Sequence, residues 1–151
     1  MNNSISLIVQ RTIRAPVERV FEAWTRPEQL LLWWGPRPVK CTEASVDLRA
    51  GGSYRLGNLL PDGRVLFIFG EFELVEPPTR LTYSWHVEDP AGVVSEASRV
   101  SVRFEPVPSG TNVVVVHERI DTEATRSDHE QGWQGCLDNL AAQFAHGSQA
   151  S

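Results

Sequence analysis

The stretch from Ser127 to Ala145, SDHEQGWQGCLDNLAAQFA, predicts one long amphipathic helix near the end of the chain. Its ring-bearing and large aliphatic side chains recur at steps of four and three residues, so they share one helix face. Ser127 followed by Glu130 predicts a capping box at the start. Because an apolar face must be covered, the helix is expected to lie across the elements before it. That face consists of His129, Trp133, Leu137, Leu140 and Phe144.

Most of the chain between residues 41 and 120 is predicted to form antiparallel strands. Apolar and polar residues alternate there with a period of two, which is typical of strands that bury one face. Turn signals such as Pro61-Asp62-Gly63 and Pro77-Pro78 divide the region into six strands. Pairing of the last two strands is expected to place Val100, Val102 and Phe104 opposite Val113, Val115 and His117 on the inner face.

The first 40 residues are predicted to form one strand and two short helices. The strand covers Ile5 to Ile13, a segment rich in β-branched residues. Pro16 and Pro27 suit the first turns of the two helices, and Gly35-Pro36 ends the second. The chain is therefore expected to be a single α+β domain over residues 1–151, with a loose tail from about residue 146. A curved antiparallel sheet of about seven strands is expected to wrap round the long C-terminal helix.

Charge and composition favour an ordinary globular protein without nucleic-acid or membrane partners. With a net charge of −5 and a single lysine, the chain lacks the clustered cations of a nucleic-acid surface. No apolar run approaches the length of a membrane span, and the N-terminus lacks the pattern of a signal peptide. Cys41 and Cys136 match no metal spacing, so we expect reduced thiols in a cytoplasmic protein.

A series of short motifs runs through nearly the whole chain, from about Ile8 to Phe144. They are, in order, Ala15-Pro16-Val17, Val20-Phe21, Ala23-Trp24-Thr25, Pro27-Glu28 with Leu30, Trp33-Trp34-Gly35-Pro36, Asp47-Leu48-Arg49 before Gly51-Gly52, Pro77-Pro78 before Arg80-Leu81, Tyr83 and Trp85, Gly110-Thr111, His117, and Gly132-Trp133 with Leu137 and Leu140. In this order and spacing they resemble the START-like, birch-pollen-allergen-type (SRPBCC) superfamily. The branch they resemble is the C-terminal domain of the activator of the ninety-kilodalton heat-shock-protein ATPase.

The resemblance implies a helix-grip fold with a cavity between the long helix and the sheet. Across the superfamily this cavity is used for lipids, polyketides and other apolar molecules. The same fold hosts binding proteins, polyketide cyclases and co-chaperone domains, so it implies no single activity. The sequence contains no counterpart of the activator's other, N-terminal domain, and a chaperone-stimulating role is therefore not expected. Many relatives pair into dimers, and the sequence leaves a homodimer open.

Three side chains are candidates for acid–base chemistry: His117, His129 and Tyr83. His117 ends a valine-rich strand on its inner face and His129 begins the inner face of the long helix, so both imidazoles are expected to face one cavity. The alternative is that each is a core or rim histidine with a structural hydrogen bond. A metal would need a third ligand, and Glu118 alternates to the other face, so neither a metal nor another cofactor is expected.

The predicted inner surface carries many aromatic side chains, a composition typical of a small-molecule pocket. The alternative is that the same rings simply fill the core. Trp33 and Trp34 are adjacent in a predicted helix, so one of them is expected at the cavity mouth. The side chains expected to contact a ligand are Trp33, Trp34, Phe72, Tyr83, Trp85, Phe104, His117, His129, Trp133 and Leu137.

Three functions follow from these observations as hypotheses. The leading one is binding of a small hydrophobic or aromatic molecule between the long helix and the sheet. The second is an enzyme of the polyketide-cyclase, dehydratase or hydrolase type that uses the cavity histidines. The third is a chaperone-associated interaction module, which predicts an exposed apolar patch around Trp33 and Trp34.

Overall fold

Seven strands and three helices make up the part of the chain that the computed structural model describes. This part covers residues 5–36 and 38–150, with residues 146–150 described by their backbone alone. The elements are β1 (Ile5–Ile13), α1 (Val17–Thr25), α2 (Pro27–Trp33), β2 (Lys40–Val46), β3 (Ser53–Leu59), β4 (Val65–Glu76), β5 (Arg80–Glu88), β6 (Ser98–Val107), β7 (Gly110–Ile120) and α3 (Glu123–Ala150).

The strands form one curved antiparallel sheet in the order β1-β7-β6-β5-β4-β3-β2. Strands β2 to β7 are a meander, and β1 pairs with β7 at one edge. Since β1 and β2 lie at opposite edges, the chain crosses the molecule between them through α1 and α2. The long helix α3 then packs on the sheet. The predicted α+β helix-grip fold is confirmed.

The predicted register of the last two strands is also confirmed. Val100 lies opposite His117, Val102 opposite Val115, and Phe104 opposite Val113. All six side chains are buried, because this is the face that the helices cover. The alternation of apolar and polar residues along β6 determines which of its faces is buried, since a slip by one residue would turn its valines to solvent.

The strands that lie under the N-terminal half of α3 alternate in the same way. In β5 the buried residues are Leu81, Tyr83 and Trp85, as predicted. In β3 they include Tyr54, Leu56 and Asn58, so the third inward position of that strand carries a carboxamide instead of an apolar side chain. The inner face of β3 therefore carries a buried polar group, which requires a hydrogen-bond partner.

Helix α3 begins one turn earlier than predicted, at Glu123. The hydroxyl of Thr122 accepts a hydrogen bond from the backbone N–H of Thr125 at 3.1 Å and so caps the first turn. The predicted cap at Ser127 is wrong, because that residue lies inside the helix. Glu130 has another role, since its carboxylate pairs with the Arg126 guanidinium at 2.7 Å.

The adjacent Trp33 and Trp34 are both buried, with exposed fractions of 2% and 5%. This is achieved because α2 ends at Trp33 and the backbone of Trp34 is extended, with ψ of 141°. The two side chains therefore leave the backbone in different directions, and their indole rings pack edge to face with ring centroids 5.5 Å apart. The two tryptophans therefore contribute nothing to the exposed apolar patch predicted around them; the exposed large apolar side chains of α2 are Leu31 and Leu32.

Two contacts fix α3 against the loop that follows α2. The Asn139 amide donates hydrogen bonds to the carbonyl oxygens of Gly35 at 2.6 Å and Trp33 at 3.3 Å. These carbonyls belong to the end of α2, where no intrahelical partner remains. One turn away, a Cβ on Gly135 would lie 2.6 Å from Cβ of Pro36, so only glycine fits there without movement.

Two further sequence predictions concern the C-terminal tail and the absence of a membrane span. The loose tail predicted from about residue 146 falls on side chains outside the described part and stays a prediction. Neither α1, α2 nor the described length of α3 is long and apolar enough to cross a membrane.

The observed start of α3 can be tested with a matched pair of substitutions. Thr122→Ala removes the side-chain acceptor for Thr125 and should lower the free energy of unfolding by about 1 kcal/mol. Ser127→Ala should leave it unchanged or raise it slightly, since alanine favours a helix interior. Urea unfolding followed by circular dichroism measures both. A larger loss for Ser127→Ala than for Thr122→Ala would mean that the helix starts at Ser127.

Candidate functional site

A cavity of about 280 Å³ lies between α3 and strands β3 to β5. One side is formed by the inner face of these strands, another by α3, and a third by the segment after α2. Most of the residues that line the cavity are apolar. The lining consists of Trp34, Pro36, Val39, Asn58, Leu60, Leu66, Ile68, Trp85, Val87, Asp128, His129, Gly132, Trp133 and Cys136.

Three indole rings form the inner wall of this cavity. Trp133 of α3 lies with its ring centroid 5.4 Å from Trp34 and 5.3 Å from Trp85. The Trp34 and Trp133 planes meet at 84°, so the two indoles that line the space are nearly perpendicular to each other. Such walls offer flat apolar surface and ring edges to an aromatic guest.

The cavity opens toward an exposed groove along α3. Pro36, Val39, Asp128 and Gly132 line both the cavity and this groove, and they therefore mark the mouth. A Cβ placed on Gly132 would have nothing within 4 Å, so the glycine leaves the passage open. A glycine inside a helix destabilises it by about 0.5–1 kcal/mol relative to alanine, and packing does not require one here.

His117 is fully buried and is held by side chains on both ring nitrogens. The Trp133 indole N–H donates to Nδ1 at 3.1 Å, and Nε2 lies 2.8 Å from the Ser98 hydroxyl oxygen. An indole nitrogen can only donate, so Nδ1 must be unprotonated and Nε2 must carry the hydrogen. Ser98 then donates onward to the Trp85 carbonyl oxygen at 3.4 Å. His117 is therefore a neutral ring in a defined tautomer.

The electrostatics of His117 agree with this arrangement. Burial lowers its pKa to about 3, and the nearby His129 acts in the same direction. The ring does not line the cavity, and its Nδ1 is occupied by Trp133. The contact of His117 with Trp133 holds one of the cavity walls in place.

His129 is the predicted acid–base candidate that borders the cavity. Its ring stacks on His117, with centroids 4.7 Å apart and planes at 10°, and it meets the edge of Trp85. Burial lowers its pKa, while the charges of Asp128 and Asp121 oppose that shift. His129 can therefore offer a ligand a neutral hydrogen-bonding group at the mouth.

Tyr83, the third candidate, lies deeper in the core. Its hydroxyl oxygen accepts a hydrogen bond from the Trp24 indole at 3.3 Å, and burial raises its pKa. It borders a separate void of about 20 Å³, together with Phe72. Tyr83 is thus separated from His129 by the layer of Trp34 and Trp85, which line both spaces.

The structure divides the predicted ligand-contacting side chains into three groups. Trp34, Trp85, His129 and Trp133 line the cavity. Phe72 and Tyr83 line the small void. Among the described lining residues of both spaces, none is Trp33, Phe104, His117 or Leu137; these four are buried in the core.

Several lining residues were not predicted, and some carried a usable signal. Asn58 follows Tyr54 and Leu56 at alternating positions, which predicts an inward carboxamide. Cys136 lies three residues after Trp133 on the same helix face, and burial raises its thiol pKa to about 12. Within residues 5–36 and 38–145, no group of three or more His, Cys, Asp or Glu side chains is placed to hold a metal ion.

Three buried polar atoms around these spaces have no hydrogen-bond partner in the described part of the chain. They are the indole nitrogens of Trp34 and Trp85 and the Oδ1 atom of Asn58. Their exposed fractions are 5% for each tryptophan and 3% for the asparagine. A buried polar group without a partner is destabilising, so such groups are usually paired with another protein group or an ordered water, and an unpaired one beside a cavity requires an explanation.

Comparison with known proteins finds relatives over nearly the whole chain. Residues 14–145 match the family model described as "Activator of Hsp90 ATPase homolog 1-like protein". A solved protein from Chromobacterium violaceum is 26% identical with a TM-score of 0.81, covering 92% of this chain and 96% of its own. The AHSA1 protein of Silicibacter pomeroyi is 24% identical with a TM-score of 0.84, covering 93% and 98%.

A third relative is the AHSA1-like protein from Aeromonas hydrophila. It is 27% identical, with a TM-score of 0.78, and the match covers 97% of this chain and 96% of that chain. A comparison with curated proteins finds no match. These solved structures and this chain share the START-type fold.

The neutral state of His117 predicts a pH dependence of stability. In the unfolded chain His117 has a pKa near 6.5, whereas in the folded protein its pKa is about 3. Between these two values the unfolded chain binds a proton that the folded protein does not. Stability should therefore fall as pH drops below 6.5, by about 2 kcal/mol between pH 7 and pH 5 from this residue alone. Chemical unfolding at both pH values measures this fall, and His117→Gln should reduce it.

Nitrogen-detected NMR of the histidine rings provides an independent check. His117 should show the neutral form with hydrogen on Nε2 at pH 7 and still at pH 5. A ring that takes up a proton with a midpoint near pH 6.5 would contradict the arrangement.

Proposed function

This chain belongs to the Activator of Hsp90 ATPase homolog 1-like family, and on that premise we propose that it binds a small, mainly apolar molecule between α3 and the sheet. The START-type fold commonly binds hydrophobic ligands. The observation that carries the proposal is the cavity of about 280 Å³ with its indole walls and its open mouth. A concave, mostly apolar space with a few polar groups is the usual form of a small-molecule site.

The size of the cavity sets the size of the ligand. An engineered protein cavity of about 150 Å³ accommodates benzene, with its six carbon atoms. In proportion, a space of about 280 Å³ takes a molecule of about 11 non-hydrogen atoms. This corresponds to two fused six-membered rings with one substituent. A long acyl chain would not fit inside without movement of α3.

Binding without catalysis is the function that these side chains support best. His117 is neutral and occupied by Trp133 and Ser98, and Tyr83 lies behind the indole wall. Of the three predicted acid–base candidates, His129 is the one that lines the cavity, and the carboxylate of Asp128 is exposed at the mouth. A ligand in the cavity therefore meets one of the predicted candidates, whereas acid–base catalysis by that set would require two within reach of one ligand atom.

The proposal can be tested by closing the mouth at Gly132. Gly132→Phe adds a ring where nothing lies within 4 Å of the new Cβ, so the chain should still fold. We expect calorimetric titration with 2-naphthol, a molecule of about 11 non-hydrogen atoms, to give at least tenfold weaker binding to this variant. Gly132→Ala leaves the space free and should bind as the unchanged protein does.

A second control separates closure from a general change in surface hydrophobicity. Gln134 is exposed on the same helix, away from the cavity, and Gln134→Phe should leave binding unchanged. Native mass spectrometry of freshly purified protein should in addition show a bound molecule that is absent from Gly132→Phe. Equal affinity of the Gly132→Phe and Gly132→Ala variants would contradict binding in this cavity.

A further inference from the structure

Asn58 lines the cavity with a buried carboxamide whose Oδ1 atom has no hydrogen-bond partner in the described part of the chain. We propose that it recognises a ligand with a hydrogen-bond donor and an acceptor on adjacent atoms, as in the cyclic amide of a fused-ring lactam. This inference rests on the proposed function, since it concerns the ligand of the same cavity. It adds the chemical class of the molecule and the residue that selects it.

The position of Asn58 in the sheet explains why its side chain faces the cavity. It occupies the inward face of β3, two residues after Leu56. Its neighbours across the strands are Cys41 on β2 and Leu66 on β4. Leu66 lines the same cavity, and its side chain offers no hydrogen bond. The carboxamide is therefore placed among side chains that do not satisfy it.

The carboxamide group determines what would pair with it. It presents one acceptor oxygen, Oδ1, and two donors on the adjacent nitrogen. A partner with a donor beside an acceptor can form two parallel hydrogen bonds with it, as an asparagine does with the edge of adenine. A cyclic amide has this arrangement, because its N–H and C=O lie on neighbouring atoms on the same side.

The two unpaired indole nitrogens do not identify the ligand in the same way. Trp34 and Trp85 border both the cavity and the void of about 20 Å³ behind it. A space of that size holds one water molecule, which could accept from the indoles. Asn58 borders the cavity and not the small void, so a partner for its carboxamide must come from the cavity side.

The surroundings of Asn58 favour a neutral ligand of flat shape. Within the described lining the charged residue is Asp128, which is exposed at the mouth. An ionised group buried beside Asn58 would have no counter-charge among these residues, and such burial is strongly unfavourable. The indole faces of Trp34, Trp85 and Trp133 suit an aromatic ring system.

The experiment compares two compounds of the same size on two variants. Quinolin-2-one carries the lactam edge, and 2-methylnaphthalene has the same number of non-hydrogen atoms and no polar group. Asn58→Leu removes the carboxamide, and we expect it to lower the affinity for quinolin-2-one at least tenfold relative to 2-methylnaphthalene. Gln134→Leu, which removes a carboxamide from the exposed side of α3 away from the cavity, should leave this ratio within twofold.

The outcomes separate the two proposals. If the unchanged protein binds neither compound, the proposed function fails and this inference fails with it. If it binds both and Asn58→Leu leaves the ratio unchanged, recognition by Asn58 is overturned while the proposed function stands. A second measurement, on the unchanged protein, keeps the test valid if Asn58→Leu does not fold. The NMR signal of the Asn58 side-chain amide should shift when quinolin-2-one binds and not when 2-methylnaphthalene binds. The same shift with both compounds would overturn the inference.

Discussion

The hydrogen bond from the Trp133 indole to His117 connects the long helix to the centre of the sheet, and the cavity depends on it. Because Nδ1 of His117 accepts this bond, the ring stays neutral and its other nitrogen pairs with Ser98. Trp133 thereby becomes a fixed wall at 5.3–5.4 Å from Trp85 and Trp34. The Asn139 bonds to the loop after α2 hold the same helix on its other side.

This arrangement gives the two stacked histidines different surroundings. A ring that supports a wall must keep one tautomer, and burial lowers its pKa far below neutrality. His117 therefore serves structure, while His129 at the mouth remains available to a ligand. One fold can serve several functions, depending on which side chains face its cavity, so function is argued from the site and not from the fold.

Much of the fold was predictable from local periodicity. The two-residue alternation determined the pairing of Val100 with His117, and the three- and four-residue steps determined the inner face of α3. The predictions failed where a backbone changed direction. Helix α3 begins at Glu123 and is capped by the Thr122 hydroxyl, not by Ser127. Trp34 faces inward because α2 ends at Trp33 and the backbone of Trp34 is extended.

The sequence by itself determined the order of the elements, the register of β6 with β7 and the buried face of α3, because each follows from a repeat over a few neighbouring residues. It could not determine which buried rings border a space: Trp33 and Trp34 carry the same side chain, yet only the second lines the cavity. That outcome depends on the spacing between α3 and the sheet. Contacts between distant residues set this spacing, above all Trp133 with His117 and Gly135 with Pro36, and only the tertiary structure decided it.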